Sequence, residues 1–287
     1  MKIIHISDLH LPTQLPFFSL KGKMYTGYLN YAFRRKSRYP ISVLNGLLLK
    51  IKSMDYNLLV ISGDFTNVSH EMEFPNVYDA MSPILDSRTF VIPGNHDRYM
   101  ESSIRPVDLF KKYFQNYQGE KCGSGSTYLY RKKIGNTHII GIDSGYPTGV
   151  GIAAGRVEEN SINELQNLLK NEKIKDYILV CHHPIWNPEE HMESESHRLT
   201  NRDFLLNELK KNPPSLFLHG HKHTNWYRRK DEEIPFGIIN SASSTMLPDS
   251  KRNNGFHYIE YSEKGNHSVQ RFSFDGTSFR EDRLIEY

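Results

Sequence analysis

Through the first two-thirds of the chain, apolar residues fall into short runs separated by stretches of helical periodicity. Lys2–Ser7 reads as a strand, and Ile41–Ser53 as a helix with Val43, Leu44, Leu47, Leu48 and Ile51 on one face. Residues 57–62 form the next apolar run, 76–85 a second helical pattern, and 89–92 a third strand. Pro106 opens a helix carrying Val107, Phe110 and Phe114, since proline suits a first turn. Residues 127–131 and 137–142 have the look of a hairpin. Ser161 caps a helix bearing Ile162, Leu165, Leu168 and Leu169, with Glu164 completing a capping box. Tyr177–Cys181 is a strand, Arg202–Lys211 a helix and Leu216–Leu218 a strand. From about Trp226 the chain turns to successive strands, with turns at Asn254-Gly255, Lys264-Gly265 and Asp275-Gly276. Alternating strands and helices predict an α/β layered sheet, and two sheets would let the β-rich tail bury a face as well. With no repeat and no low-complexity linker, residues 1–287 read as a single domain.

Composition narrows the class. The 287 residues are 38% hydrophobic, 12% aromatic and 24% charged, ample for a sizeable core. A net charge of +3 is too mild to call for nucleic acid, and no stable nucleic-acid complex is expected. Two cysteines outside any CxxC pair, Cys122 and Cys181, make no disulfide framework and suit a reducing, cytoplasmic setting. The apolar run at the start is too short for a signal peptide, and no window suggests a membrane-spanning helix. Histidine stands out at 14, and seven of these fall in four short motifs.

Those motifs share a position. Asp8-Leu9-His10 follows the first strand and Gly63-Asp64 the second; Gly94-Asn95-His96-Asp97 follows the third. His182-His183-Pro184 and His219-Gly220-His221-Lys222-His223 follow the next two. In layered α/β sheets ligands sit beyond the carboxyl ends of strands, so these polar groups converge on one edge. Oxygen and imidazole donors without sulfur suit Zn, Mn or Fe. Two carboxylates and four histidines exceed what one four-coordinate ion needs, so two ions are the economical reading. Among the other histidines, His5 and His138 lie within strands and read as structural, while His70, His191 and His197 sit in polar loops.

The ordered set D-x-H, G-D, G-N-H-D, H-H-P and G-H-x-H resembles the calcineurin-like metallophosphoesterases, most of all their bacterial cyclic-nucleotide-phosphodiesterase-like branch. The resemblance implies a four-layer α/β/β/α sandwich of two mixed sheets flanked by helices. It implies two divalent or trivalent ions (Mn, Fe or Zn), one held by Asp8, His10 and His223, the other by Asn95, His182 and His221, with Asp64 between them. The activity it implies is hydrolysis of a phosphodiester or phosphomonoester, by in-line attack of a hydroxide bridging the ions. His96 would stabilise or protonate the leaving oxygen, and Asp97 would fix the His96 ring or its loop; these two are the catalytic candidates. Arg98, whose planar fork suits a phosphate oxygen, and His183 are candidate substrate contacts.

Residues 9–54 hold eight Lys or Arg and no Asp or Glu, and within them 11–40 is rich in Phe, Tyr and Leu. This basic aromatic insert reads either as a surface lobe or as a cap over the metal edge. As a cap it suits a small anionic, nucleotide-like phosphoester, a lipid or a membrane surface, and the protein would then be peripheral to a membrane. A UDP-diacylglucosamine-type lipid pyrophosphate hydrolase and a catalytically silent scaffold are the alternatives.

Overall fold

Successive residues of the central strands enter different cores, which is what a strand buried on both faces requires. The computed structural model describes residues 1–249, 253–263 and 267–287, and of Arg34 the backbone alone. Along the chain run β1 (Lys2–Ile6), α1 (Met24–Asn30), α2 (Ile41–Ser53), β2 (Leu58–Ile61), α3 (Glu73–Met81), β3 (Thr89–Val91) and α4 (Leu109–Phe114). Next come β4 (Glu120–Lys121), β5 (Leu129–Ile134), β6 (Thr137–Ile142), α5 (Glu159–Asn171), β7 (Tyr177–Val180), α6 (Arg202–Lys211) and β8 (Leu216–His219). The chain closes with β9 (Trp226–Arg228), β10 (Gly237–Asn240), β11 (Phe256–Glu260), β12 (Ser268–Phe274) and β13 (Phe279–Asp282).

Two mixed sheets result, one ordered β13-β12-β11-β1-β2-β3 and the other β4-β5-β6-β7-β8-β10-β9. In the first, β1, β2 and β3 are parallel; in the second, β6, β7, β8 and β10 are. Ile3, Leu58, Val60 and Phe90 of the first sheet meet Ile139, Ile178, Leu216 and Leu218 of the second in one core between the sheets. Their strand neighbours Ile4, Leu59 and Ile61 pack outward with residues of α2, α3 and α4. On the other side Ile140, Leu179 and Phe217 pack with residues of α5 and α6. The expected α/β/β/α sandwich is therefore the observed one. Among the described residues no helix is long and apolar enough to cross a membrane.

Helix starts depart from expectation where a side chain found a better partner. The α3 helix begins at Glu73, not 76, because the Glu73 carboxylate accepts the backbone N–H groups of Asn67 (2.8 Å), Val68 (3.1 Å) and His70 (2.9 Å). Pro106 does not open α4; Asp108 caps it by accepting from Lys111 N at 2.9 Å. Ser161 lies inside α5 rather than capping it, and Glu164 accepts from Ser124 N instead of closing a capping box. The tail divides between sheets: β9 and β10 extend the second, and β11 to β13 the first. Of the three expected turns, Asp275-Gly276 joins β12 to β13, with Gly276 at φ 102°. Asn254-Gly255 lies on the crossing between sheets, and Lys264-Gly265 lies outside the described residues.

The 11–40 segment is folded against the body. Leu15, Leu20 and Met24 pack with Val68, backed by Tyr28, Tyr99 and Met100. Tyr28 Oη accepts the Leu15 N–H at 3.0 Å. A π-helical turn, Tyr31–Arg35, continues α1.

Glu73 supplies a test of this loop design. Glu73→Ala strands three backbone donors and should cost about 3 kcal/mol, with Glu73→Gln intermediate because one acceptor oxygen remains. Urea unfolding reads both values, and equal stability of all three proteins would refute the account.

Candidate metal centre

The loops leaving β1, β2, β3, β7 and β8 converge, and their backbones are bent to do so. Asp8 (φ 53°), His10 (42°), Asp64 (58°), His221 (72°) and His223 (52°) all sit in the left-handed region, which side chains seldom adopt. Such strain collects at functional sites and needs surrounding bonds to hold it. Asp8 N and His10 N donate to the Gly63 and Asp64 carbonyls, both at 3.0 Å, and lock the first loop to the second. Close approach also needs glycine: a methyl on Gly94 would strike Asp64 Oδ1, and one on Gly220 would strike Ser7 Oγ and Asp8 Oδ2.

Each carboxylate divides its work between its oxygens. Asp8 Oδ2 accepts the backbone N–H of His221 (2.9 Å), and Asp64 Oδ1 that of His96 (2.8 Å). The other oxygens point to the centre. Asp8 Oδ1 has no hydrogen-bond partner, yet stands 3.1 Å from His223 Nε2 and 3.8 Å from His10 Nε2. Asp64 Oδ2 stands 3.5 Å from His10 Nε2 and 3.3 Å from His182 Nε2. Asn95 Oδ1 stands 3.2 Å from His182 Nε2 and 3.1 Å from His221 Nδ1.

Carbonyl groups orient the imidazoles. His10 Nδ1 faces Thr66 O (3.1 Å), His182 Nδ1 faces Ser62 O (2.7 Å) and His221 Nε2 faces His197 O (2.9 Å). Each of these nitrogens therefore carries the proton, and the opposite nitrogen presents a bare lone pair to the centre. Lone pairs from buried carboxylate, amide and imidazole groups thus face one another at 3.1–3.8 Å, an arrangement only cations relieve. Asp64 Oδ2 lies within 3.5 Å of both His10 Nε2 and His182 Nε2, and among the described residues the clusters able to hold a metal are Asp8, His10 and His223; His10, Asp64 and His96; and Asp8, Asp64 and His182. Nitrogen and oxygen donors without sulfur fit Mn, Fe or Zn.

His96 lines the cavity over this centre, with Nδ1 on the Asn67 carbonyl (2.5 Å) and its ring stacked at 5.7 Å on Tyr99. Burial holds its pKa down at about 4, so the ring is neutral at pH 7.

Of three other sequence candidates, Asp97 fixes its loop, one of the two roles expected of it, and Arg98 and His183 do other work. Asp97 is not at the cavity; it accepts the backbone N–H groups of Phe65 (3.0 Å), Thr66 (2.9 Å) and Gly94 (2.9 Å), tying the second loop to the third. Arg98 is 3% exposed and pairs with Asp143 (2.9 Å) and Asp108 (2.8 Å), because those two buried or half-buried carboxylates need a cation more than a substrate does. Both ring nitrogens of His183 are engaged, by Ser144 Oγ (2.8 Å) and Ala153 O (3.1 Å), and its ring packs 4.4 Å from that of His221. It positions His221 and has no atom left for a substrate.

The cavity, about 700 Å³, also receives residues that carry no motif: Arg35 and Arg38 from the insert, and Glu193 and His197. His197 is the exposed loop residue expected, and its backbone carbonyl seats His221. Burial raises the Glu193 carboxyl to about 7, and its Oε1 lies 3.5 Å from His221 Nε2. Only the excess of positive charge in residues 9–54 signals any of these in the sequence.

The calcineurin-like phosphoesterase family model matches residues 1–225, the span that holds every one of these loops. The chain belongs to that family. Among solved structures its fold is similar to a dimetal phosphatase from Danio rerio, at 16% identity and TM-score 0.62, covering 90% of this chain and 91% of that one. It is also similar to GAP50, the anchor in the inner membrane complex of Plasmodium, at 15% identity and TM-score 0.59, covering 99% and 88%. A purple acid phosphatase from yellow lupin (Lupinus luteus) seeds matches at 9% identity and TM-score 0.58, covering 98% of this chain and 52% of that one. No curated protein sequence matches significantly. At these identities the structural likeness concerns the fold; family membership rests on the match over residues 1–225.

Within this family member Asp97 offers a clear test. Asp97→Ala should cost about 3 kcal/mol, seen as a lower urea midpoint, because it strands three buried N–H groups. The pH profile of any remaining turnover should keep its shape. A displaced profile without loss of stability would make Asp97 catalytic instead.

Proposed function

We propose that the protein is a dinuclear metal-dependent hydrolase of phosphoesters, acting on a small anionic, nucleotide-like substrate. The observation that carries this reading is Asp64 Oδ2 set between His10 Nε2 and His182 Nε2 in an open cavity, with Asp8, His223, Asn95 and His221 gathered on either side. Asp8, His10, His223 and Asp64 would hold one ion; Asp64, Asn95, His182 and His221 would hold the other. When bound, two such ions supply Lewis acidity toward the phosphoryl oxygens and make water a better nucleophile.

The chain's own residues do the rest. Asn95 brings an oxygen without charge, which keeps the negative charge of the donor set low. His96 is fixed by Asn67 and Tyr99 and keeps Nε2 for the cavity; an anionic phosphoester beside the ring raises its affinity for a proton, and the proton Nε2 then takes up passes to the leaving oxygen. Arg35 reaches the same cavity from the insert, within the electrostatic reach of Asp8 and Asp64. Its guanidinium suits a non-reacting phosphate oxygen, the task first assigned to Arg98. No side chain of the chain is needed as nucleophile. The complete donor set together with His96 speaks against a silent scaffold.

Two variants separate binding of metal from turnover. Asp64→Ala should lose both ions by elemental analysis, since both groups depend on it. His96→Ala should keep its metal and turn over bis-p-nitrophenyl phosphate about 10²–10⁴-fold more slowly. A fully metal-loaded protein that cleaves neither this diester nor p-nitrophenyl phosphate would overturn the reading. Arg35→Ala should raise KM more than it lowers kcat, and an unchanged KM would remove Arg35 from the substrate site.

A further inference from the structure

The insert has three faces, and one of them is unpaired. Met24, Tyr28 and Tyr31 turn inward, Met24 and Tyr28 against Val68, Tyr99 and their neighbours. Asn30, Arg35 and Arg38 turn to the cavity. Phe17, Leu29 and Phe33 are exposed on the third face, with Tyr25 half-buried at its edge against Leu15, Leu20, Met24 and Val68. The rings of Phe17 and Tyr25 touch at 5.1 Å, and Tyr25, Leu29 and Phe33 follow four residues apart along one side of the helical segment. Phe33 is 83% exposed, and the adjacent Phe18 is 89% exposed.

The apolar surface continues across the mouth of the cavity. Ile152 and Met192 line the opposite rim and are themselves exposed. Lys23 Nζ donates to Thr148 Oγ1 at 3.2 Å and ties the insert to the loop that carries Ile152. Within the insert itself the charge has one sign. Residues 11–40 hold six Lys or Arg and no acid, and Lys21 and Lys36 are exposed.

We propose that this face docks on an anionic bilayer, with the mouth of the cavity turned toward the headgroups. Exposed aromatics flanked by lysines are the composition of interfacial anchors: rings enter the headgroup boundary and cations meet anionic lipid. A second copy of this chain fits less well, because a symmetric pair would set the same exposed lysines, Lys21 and Lys36, against each other. Docking concerns this surface alone. Its consequence, that the phosphoester cleaved is one displayed at the membrane, rests on the hydrolase reading.

Sedimentation of the metal-loaded full chain with vesicles tests the docking directly. Vesicles of phosphatidylglycerol and phosphatidylcholine in equal parts should carry the protein down; pure phosphatidylcholine should carry at least about ten-fold less, and the difference should shrink as salt is raised. Phe18→Ser with Phe33→Ser should weaken binding to the anionic vesicles at least about ten-fold, while metal content and turnover of soluble bis-p-nitrophenyl phosphate stay as in the parent. Equal binding to both vesicle types, no binding to either, or a dimer in solution that the double variant dissolves would each overturn the proposal. Vesicle binding by a metal-loaded protein that cleaves neither bis-p-nitrophenyl phosphate nor p-nitrophenyl phosphate would uphold the surface and sink the hydrolase reading, so the two fail separately.

Discussion

Two buried carboxylates and a ring of bare imidazole nitrogens cannot share a small space without positive charge between them. That constraint explains more of this chain than any hydrophobic pattern does. Aligning the donors forces Asp8, His10, Asp64, His221 and His223 into left-handed backbone. Each of those conformations opposes folding, so the loops must be tied by other means. Asp8 and Asp64 therefore each give one oxygen to the backbone N–H of a different loop, and Asp97 gives both of its oxygens to two more. The same residues that prepare the metal centre thus also hold its strained frame in place.

Further from the metal edge, the two sheets are joined by polar contacts as well as by apolar ones. His5 lies on β1, between Ser62 Oγ on its Nε2 (2.9 Å) and Ser241 Oγ on its Nδ1 (3.1 Å), and Ser241 in turn meets His257 Nδ1 at 2.9 Å. Burial pushes both histidines down, His257 to about 3, so they serve as neutral hydrogen-bonding groups. A serine–histidine chain of this kind fixes register between layers, where an all-aliphatic contact would allow sliding. His5 is thus structural, as its place within a strand implies.

What could be read from sequence follows from the same physics. Strand ends in a layered sheet are fixed by apolar runs, and ligands come directly after them, so the donor positions and the layer order were both legible. Roles that depend on competition for a partner were not. Arg98 looks like a phosphate grip until Asp108 and Asp143, 10 and 45 positions later, claim its guanidinium. His183 looks like a donor until Ser144 and Ala153 use both its nitrogens. Ser161 and Glu164 have capping-box spacing, yet Glu164 is drawn to Ser124 across 40 residues. In each instance the local pattern was sound and a distant group changed the outcome.

The insert is where local and distant requirements are reconciled in one short segment. A helix of a single α-turn period would present its residues to two surroundings, core and solvent. Here the α-helical part passes into a π-turn at Tyr31–Arg35, which widens the spacing by one residue and swings Arg35 toward the cavity. Turns of this type are frequent at functional sites. The widened turn lets Tyr31 stay buried, Phe33 stay outside and Arg35 reach inward within five residues. The charge of Arg35 is then held beside the carboxylates it faces, and Tyr39, 3.3 Å from its guanidinium, packs edge-on against His10 at 5.6 Å. An arginine, a tyrosine and a metal-edge histidine in contact make the insert part of the cavity wall, so what it touches outside the protein bears directly on what the cavity receives.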